Sequence, residues 1–274
     1  MIKKTAILLV LVVFALSMWV CAQCDNMNGY DIPVDIIING SFLKTPAPSY
    51  ISEGVVYVPV RALCEALGAQ VTWDENTGIA LAQKDDVQLY FSCIEENKVR
   101  MAQIHYGSLC VPVREVTDAF GYTVSWDNRF YNVSISAPDV QIPPEYVNTE
   151  AFSNADVLLL AKLIYAEAGA CGFNEQIGVG GVVMNRDRSP LYPDTISGVI
   201  YDRRWAIQFT PAYNGLLNRE PSGVAIIAAK CVMHGVNIVR NCTGFGYAAH
   251  TNSWMAQNMN WYCTYGVIGF YEPR

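Results

Sequence analysis

Charge is what this chain of 274 residues has least of: 16% of it is Asp, Glu, Lys or Arg, against 52% hydrophobic. Disordered chains need the opposite balance, so the composition excludes extensive disorder and supports a packed core. Positive charge is the scarcer sign. Lys and Arg number 18 against 25 acids, a formal charge of −7, which makes the chain a poor binder of nucleic acid or anionic membrane. Histidine occurs three times, with His105 alone in the first half and His234 and His250 in the second. No cluster of metal ligands surrounds His105, and neither a metal nor another cofactor is expected. Long apolar runs are absent beyond residue 20, so the mature chain is expected to be soluble.

The one apolar run there is reads as an export signal over residues 1–22. Lys3 and Lys4 make a basic start, Ala6 to Val20 is apolar or small, and Val20-Cys21-Ala22 offers a cleavage site. Bulky Trp19 and Val20 disfavour a lipid anchor on Cys21. Cleavage removes two lysines and no acid, taking the charge from −7 to −9. The expected product is secreted, a monomer free of the membrane. Of nine cysteines, Cys21 leaves with the signal, and the even number remaining permits disulfides whose pairing stays open. The 16 tyrosines and 6 tryptophans supply aromatic surface for a substrate held by stacking rather than by charge.

The first half repeats itself. Val58-Pro-Val-Arg61 returns as Val111-Pro-Val-Arg114, and Ala66, Gly68, Val71, Trp73 and Asp74 return 53 positions later as Ala119, Gly121, Val124, Trp126 and Asp127. Each copy predicts a strand ending at Pro, a short helix closed by Gly, an alternating strand, a polar turn and a last strand, with one extra residue before that strand in the second copy. Two βαββ units make a small α+β domain over residues 31–137, with Trp73 and Trp126 expected in its core. The V-P-V-R…A-x-G…V-x-W-D pattern resembles the copper amine oxidase N-terminal-like domain, a module of exported bacterial proteins; the resemblance carries no implication of copper binding. Residues 138–153 hold three prolines and no periodicity, and read as a linker.

The second half, residues 154–274, carries the chemistry. Ser153 or Asn154 caps a helix that ends in L-I-Y-A-E-A-G, with Glu167 on the face of Leu160, Leu163 and Ile164. A carboxyl half-wrapped in aliphatic side chains loses solvation, which disfavours its anion and raises its pKa; that suits a general acid near neutral pH. A Glu at a helix end reaching solvent is the competing reading. A second helix from about Asn174 to Arg186 holds Gly178, Gly180 and Gly181, expected at a close packing contact. Asn185 stands at its end, facing a groove. The loop Gln208-Phe209-Thr210 offers polar and aromatic groups for sugar recognition. Residues 222–239 predict another helix, and the tail is rich in Tyr, Trp, Asn and Gly.

L-L-A-K-L-I-Y-A-E-A-G, Gln176, V-G-G-V-V-M-N-R, P-D-T-I-S-G-V-I-Y, Q-F-T-P-A-Y-N-G and G-V-I-G-F-Y, in that order, resemble the bacterial cell-wall hydrolase family that includes the SleB-type spore cortex-lytic enzymes. The resemblance implies a mainly helical, lysozyme-like catalytic domain that cleaves peptidoglycan glycan strands between N-acetylmuramic acid and N-acetylglucosamine. It gives Glu167 the catalytic role, with Gln176, Asn185, Gln208, Phe209, Thr210 and Tyr247 as substrate-binding candidates. Cys171 stands where many members carry a second acid, and a lytic transglycosylase needs only the one Glu. Three rivals remain: a cysteine peptidase using Cys171, its pKa lowered by a helix N-terminus, with His234 or His250; a zinc amidase drawing on Cys231, His234, Cys242 and His250; and a non-catalytic wall-binding protein.

Overall fold

The computed structural model describes residues 26–27, 29–97 and 99–274, so the expected signal lies outside the described residues. The chain divides after Ala151 into two compact units of mixed α and β structure.

In the first unit the two repeats run β3 (Val55–Pro59), α1 (Val60–Ala66), β4 (Gln70–Asp74), β5 (Ile79–Lys84), and β8 (Ser108–Pro112), α2 (Val113–Ala119), β9 (Thr123–Asp127), β10 (Asn132–Ser136). Around them lie β1 (Pro33–Ile38), β2 (Ser49–Ser52), β6 (Val87–Ser92) and β7 (Gln103–His105). Both helices follow a proline, and each gives way to a glycine with positive φ, Gly68 at +83° and Gly121 at +77°, as a left-handed C-terminal turn requires. β3 and β8 pair antiparallel with Val58 opposite Val111, Tyr57 opposite Pro112 and Pro59 opposite Cys110. Val58 and Val111 are repeat counterparts, so this pairing sits on a local two-fold. Asp74 faces Ile79 and Asp127 faces Asn132, which keeps the offset of 53 throughout; the extra residue expected in the second copy is not needed.

The two hairpins then part company. β4, β5 and β6 form a four-stranded sheet with the short strand Arg100–Met101, while β10 pairs in parallel with β1 inside an eight-stranded one, whose path runs β7-β8-β3-β2-β1-β10-β9 with the short strand Ser41–Phe42 pairing onto β1 off that path. β4 and β9 are therefore both edge strands. That corrects the core placement of the tryptophans: Trp73 is 44% exposed and Trp126 38%. Each does stand on a core-facing row, Trp73 beside Ala80 and Phe91, Trp126 beside Val133 and Ile36, whose other members are buried. An edge strand ends the row, leaving one side of each indole in water.

The stretch read as a linker is not loose chain along most of its length. The backbone N–H of Lys44 donates to Tyr146 O and that of Asn148 to Phe42 O, both at 2.8 Å. The Tyr146 hydroxyl donates to the Glu65 carboxylate. The prolines hold this chain extended, and an extended backbone presents groups that a neighbouring strand can satisfy.

The second unit runs α3 (Asn154–Ala168), α4 (Phe173–Asp187), α5 (Ile196–Ile200), α6 (Gly223–Met233), β11 (Gly244–Tyr247), α7 (Trp254–Asn258), β12 (Asn260–Tyr265) and β13 (Ile268–Glu272). Ser153 caps α3 in a reciprocal capping box: its Oγ accepts from Asp156 N at 3.2 Å while Asp156 Oδ2 accepts from Ser153 N at 3.1 Å. The helix expected to reach residue 239 stops at Met233, since Gly235 turns the chain with φ +96°. The tail, unassigned by periodicity, forms a sheet in the order β11-β13-β12. No helix among the described residues is long and apolar enough to cross a membrane.

α4 is the axis of this unit. A Cβ at Gly178 would fall inside the Phe270 ring of β13, one at Gly180 would lie 3.0 Å from Ile164 of α3 and Val232 of α6, and one at Gly181 2.9 Å from Val239. Replacing Gly178 by Ala sets two effects against each other. Helix propensity favours Ala by ~1 kcal/mol, whereas overpacking a closed core costs ~1–3 kcal/mol. Phe270 is fully buried and has no room to move, so the clash wins. Gly178→Ala is expected to lower the melting temperature, and adding Phe270→Leu to recover part of the loss; a melting temperature at or above that of the parent would refute the close contact.

Candidate active site

Glu167 lies in the last turn of α3, and the three residues that share its face, Leu160, Leu163 and Ile164, have no exposed surface. Its carboxyl is half-buried. Desolvation alone pushes its pKa up, with no hydrogen bond or neighbouring charge to hold it down. Glu167 makes no capping hydrogen bond among the described residues, while part of its side chain still reaches solvent.

α3 and α4 are joined by a four-residue turn, and Ile164 meets Gly180, so the helices form an antiparallel pair whose joined end carries Glu167. Gln176, in the first turns of α4, belongs to that end. It is buried, and its Nε2 donates to Cys171 O at 3.2 Å, so it braces the turn behind Glu167 rather than meeting solvent. Tyr247 reaches the same end from the sheet. It pairs with Ile268, Ala248 N donates to Val267 O at 2.9 Å, and the adjoining Gly266 leaves no room for a Cβ against Glu175 of α4. Tyr247 itself is 52% exposed. Glu175 is thus an acid that the structure brings to the Glu167 end; its signal in the sequence is a glycine ninety-one positions away, which no local pattern connects to it.

Two expected binding residues do not belong to this end. Asn185 lies five residues beyond Gly180, roughly 12 Å from the level of Glu167 along the helix axis. Its amide is fully used: Nδ2 donates to Arg240 O at 2.7 Å and Cys242 O at 2.9 Å, while Oδ1 accepts from Asn237 at 3.1 Å. Asn185 clamps a loop and faces no groove. Phe209 is 1% exposed, packed with Phe245 and with the buried guanidinium of Arg186, 5.0 Å from its ring centre. No sugar can stack on it. Of its neighbours, Thr210 is exposed and opens a one-turn 3-10 helix packed on α3, and Gln208 is half-buried with Nε2 donating to Ala206 O at 3.1 Å.

The rival constellations fare differently from their sequence reading. Burial and the Glu175 carboxylate push the Cys171 thiol up, opposite to the lowering expected from the helix dipole. Cys171 makes no side-chain hydrogen bond among the described residues. Cys231, His234, Cys242 and His250 do not come together: no group of three or more His, Cys, Asp or Glu among the described residues is placed to hold a metal ion.

The raised pKa of Glu167 has a consequence for stability. The folded chain binds that proton more tightly than the unfolded chain, so stability contributed by the protonated form is full below the unfolded value and is lost as pH rises through the folded one. Glu167→Gln, which keeps the shape and removes the charge, is therefore expected to melt above the parent at pH 8 and level with it at pH 3.5. A variant that melts below the parent at pH 8 would mean the carboxylate is stabilised by contacts the structure does not contain.

Residues 172–271 match the family described as Cell Wall Hydrolase, and residues 37–99 and 93–170 match the Copper amine oxidase N-terminal domain. Glu167 lies five residues ahead of the first of these ranges, on a helix that folds with the second unit. The spore cortex-lytic enzyme of Oceanobacillus iheyensis is 34% identical over 98 residues, covering 36% of this chain and 32% of that protein. That of Bacillus subtilis is 33% identical over 84 residues, 31% of this chain and 27% of that protein. The chain thus spans about a third of the length of these relatives. Among solved structures, the catalytic domain of the Bacillus cereus SleB protein aligns with a TM-score of 0.41 and 24% identity over 45% of this chain and 94% of that one. The catalytic domain of the germination-specific lytic transglycosylase SleB from Bacillus anthracis aligns with a TM-score of 0.41 and 23% identity over 46% and 100%. Residues 172–271 are thus similar to the cell wall hydrolases, and the stretch before them to the copper amine oxidase N-terminal domain.

Proposed function

We propose that this chain is an exported peptidoglycan glycosidase in which Glu167 is the acid and then the base, acting as a lytic transglycosylase between N-acetylmuramic acid and N-acetylglucosamine. The observation that carries the reading is a half-buried carboxyl with no partner and a pKa raised by desolvation, on a helix that leads directly into residues 172–271, the stretch similar to the cell wall hydrolase family. In its protonated form, which burial favours, it donates to the glycosidic oxygen as the bond to C1 breaks. The carboxylate so formed takes the proton of the muramoyl 6-hydroxyl as that oxygen bonds to C1. A 1,6-anhydro end results, Glu167 is protonated again, and no water is consumed. Thr210, Gln208 and Tyr247 are the exposed or half-buried candidates for holding the sugars. The domain boundary is proposed at the proline-rich stretch, with residues 154–274 sufficient for bond cleavage.

Glu167→Gln is expected to lower glycan release from purified sacculi by about 10²–10⁴-fold with circular dichroism unchanged. Mass spectrometry of the parent's digest is expected to show muramic ends lighter by one water. Reducing ends in their place would mean hydrolysis, which ordinarily calls for a second carboxylate. Glu175 is then the residue to test, and Glu175→Gln is expected to retain most activity if the transglycosylase route is correct. Near-parental activity of Glu167→Gln would remove the acid–base assignment altogether. A chain reduced to residues 149–274 is expected to digest soluble glycan fragments; an inert or unfolded product would place the first repeats inside the catalytic architecture.

A further inference from the structure

The half-exposed tryptophans of the first unit have no part in the chemistry above. Both occupy the same repeat position, 53 residues apart, on edge strands β4 and β9. Exposure of 44% and 38% of so large an apolar ring is retained in both copies, although the hairpins that bear them join different sheets. Trp73 has no hydrogen bond and no ring partner among the described residues, and Trp126 leans edge-on against Tyr131, 5.9 Å between ring centres. Each ring is followed by a turn locked by its own Asp. Asp74 accepts from Asn76 N at 2.9 Å and Thr77 Oγ1 at 2.7 Å; Asp127 accepts from Arg129 N at 2.8 Å and Phe130 N at 3.2 Å. The backbone that carries each ring is thus held by strand pairing and by the Asp turn before any ligand arrives, which lowers the entropy lost on binding.

The surroundings narrow the class of ligand. Glu75, Asn76 and Thr77 are exposed in the turn after Trp73, and Asn128 and Arg129 in the turn after Trp126, while the strand neighbours Thr72, Asp74 and Ser125 point to the opposite face. A single aromatic face set in polar side chains is too small and too wet for a protein interface, which needs a contiguous apolar patch of several hundred Å². Glu75 in the Trp73 turn repels a polyanion. A sugar ring fits both features, offering a C–H face to the indole and hydroxyl or amide groups to the turn. Duplication of the platform on one body suits a repeating polymer, where a second contact adds effective concentration to the first.

We propose that Trp73 and Trp126 are paired sugar-stacking sites that hold the chain on the glycan strands of peptidoglycan, apart from the site that cleaves them. The identity of the polymer rests on the function proposed above; the existence of the two platforms does not.

The test is co-sedimentation of the full chain carrying Glu167→Gln, which does not digest its ligand, with sacculi stripped of anionic polymers. Trp73→Ala and Trp126→Ala are each expected to weaken binding several-fold, and the double variant by about tenfold or more. A double Trp→Tyr variant, which keeps the flat ring, is expected to retain most binding. With Glu167 restored, the double Ala variant is expected to cleave soluble glycan fragments at the parental rate. Undiminished sedimentation of the double Ala variant would overturn the proposal. So would equal losses in the Tyr and Ala pairs with a lowered melting temperature, since that pattern marks the rings as packing residues, and so would binding that disappears when the anionic polymers are stripped. Failure of the catalytic reading registers separately, as a parent chain that sediments with sacculi and leaves them uncut.

Discussion

Gly178, Gly180 and Gly181 let α4 approach Phe270, Ile164, Val232 and Val239 at distances a side chain would forbid, and the second unit is organised around that approach. Three glycines within one helix cost roughly 1 kcal/mol each in propensity, so the helix exists because packing outweighs them. Three elements depend on it. α3 and α6 both close on Gly180, and β13 lays Phe270 against Gly178. Position is the gain: α3 is held so that its buried face continues down to Glu167, and the β12–β13 turn at Gly266 settles against Glu175.

At the end of that buried face the protein keeps a carboxyl that it leaves unpaired. Two other acids of the unit are engaged, while the pKa of Asp187, like that of Glu167, is raised by burial. Asp156 closes the α3 capping box, and Asp202 is held below the usual carboxylate range chiefly by its hydrogen bonds from Arg204. Glu167 has neither device, and its pKa rises for want of them. An acid whose pKa burial raises is less stable ionised, and that instability is the same property that favours it as a proton donor. The reading as a glycan-cleaving acid and the expected stabilisation by Glu167→Gln are therefore two consequences of one desolvation.

The first unit shows how far duplication constrains a fold. Val58 meeting Val111 makes the two copies neighbours about a two-fold, and hairpin lengths are conserved between them. Yet β10 pairs with β1 in parallel while β5 pairs with β6 in a hairpin, so equivalent sequences end in different sheets. What the two copies share after that divergence is local: the Pro-led helix, the glycine that ends it, and an edge-strand tryptophan at the rim of the core.

Sequence alone determined what depends on neighbours a few residues apart. The Ser153–Asp156 cap, the buried Leu160–Leu163–Ile164 face, the repeat helices and their terminating glycines all follow from backbone periodicity and capping chemistry. The burial of Glu167 followed too, because its wrapping comes from its own helix. Tertiary structure decided what long-range partners decide. Trp73 and Trp126 alternate like core residues, and only strand order made them edges. Asn185 carries the donors of a binding residue, and only the loop at 237–242 claimed them. Phe209 sits in a loop but is sealed by Arg186 and Phe245. The tail hairpin and its delivery of Tyr247 to the Glu167 end required β13 to find α4, a contact between residues some ninety positions apart that no local pattern in one chain encodes.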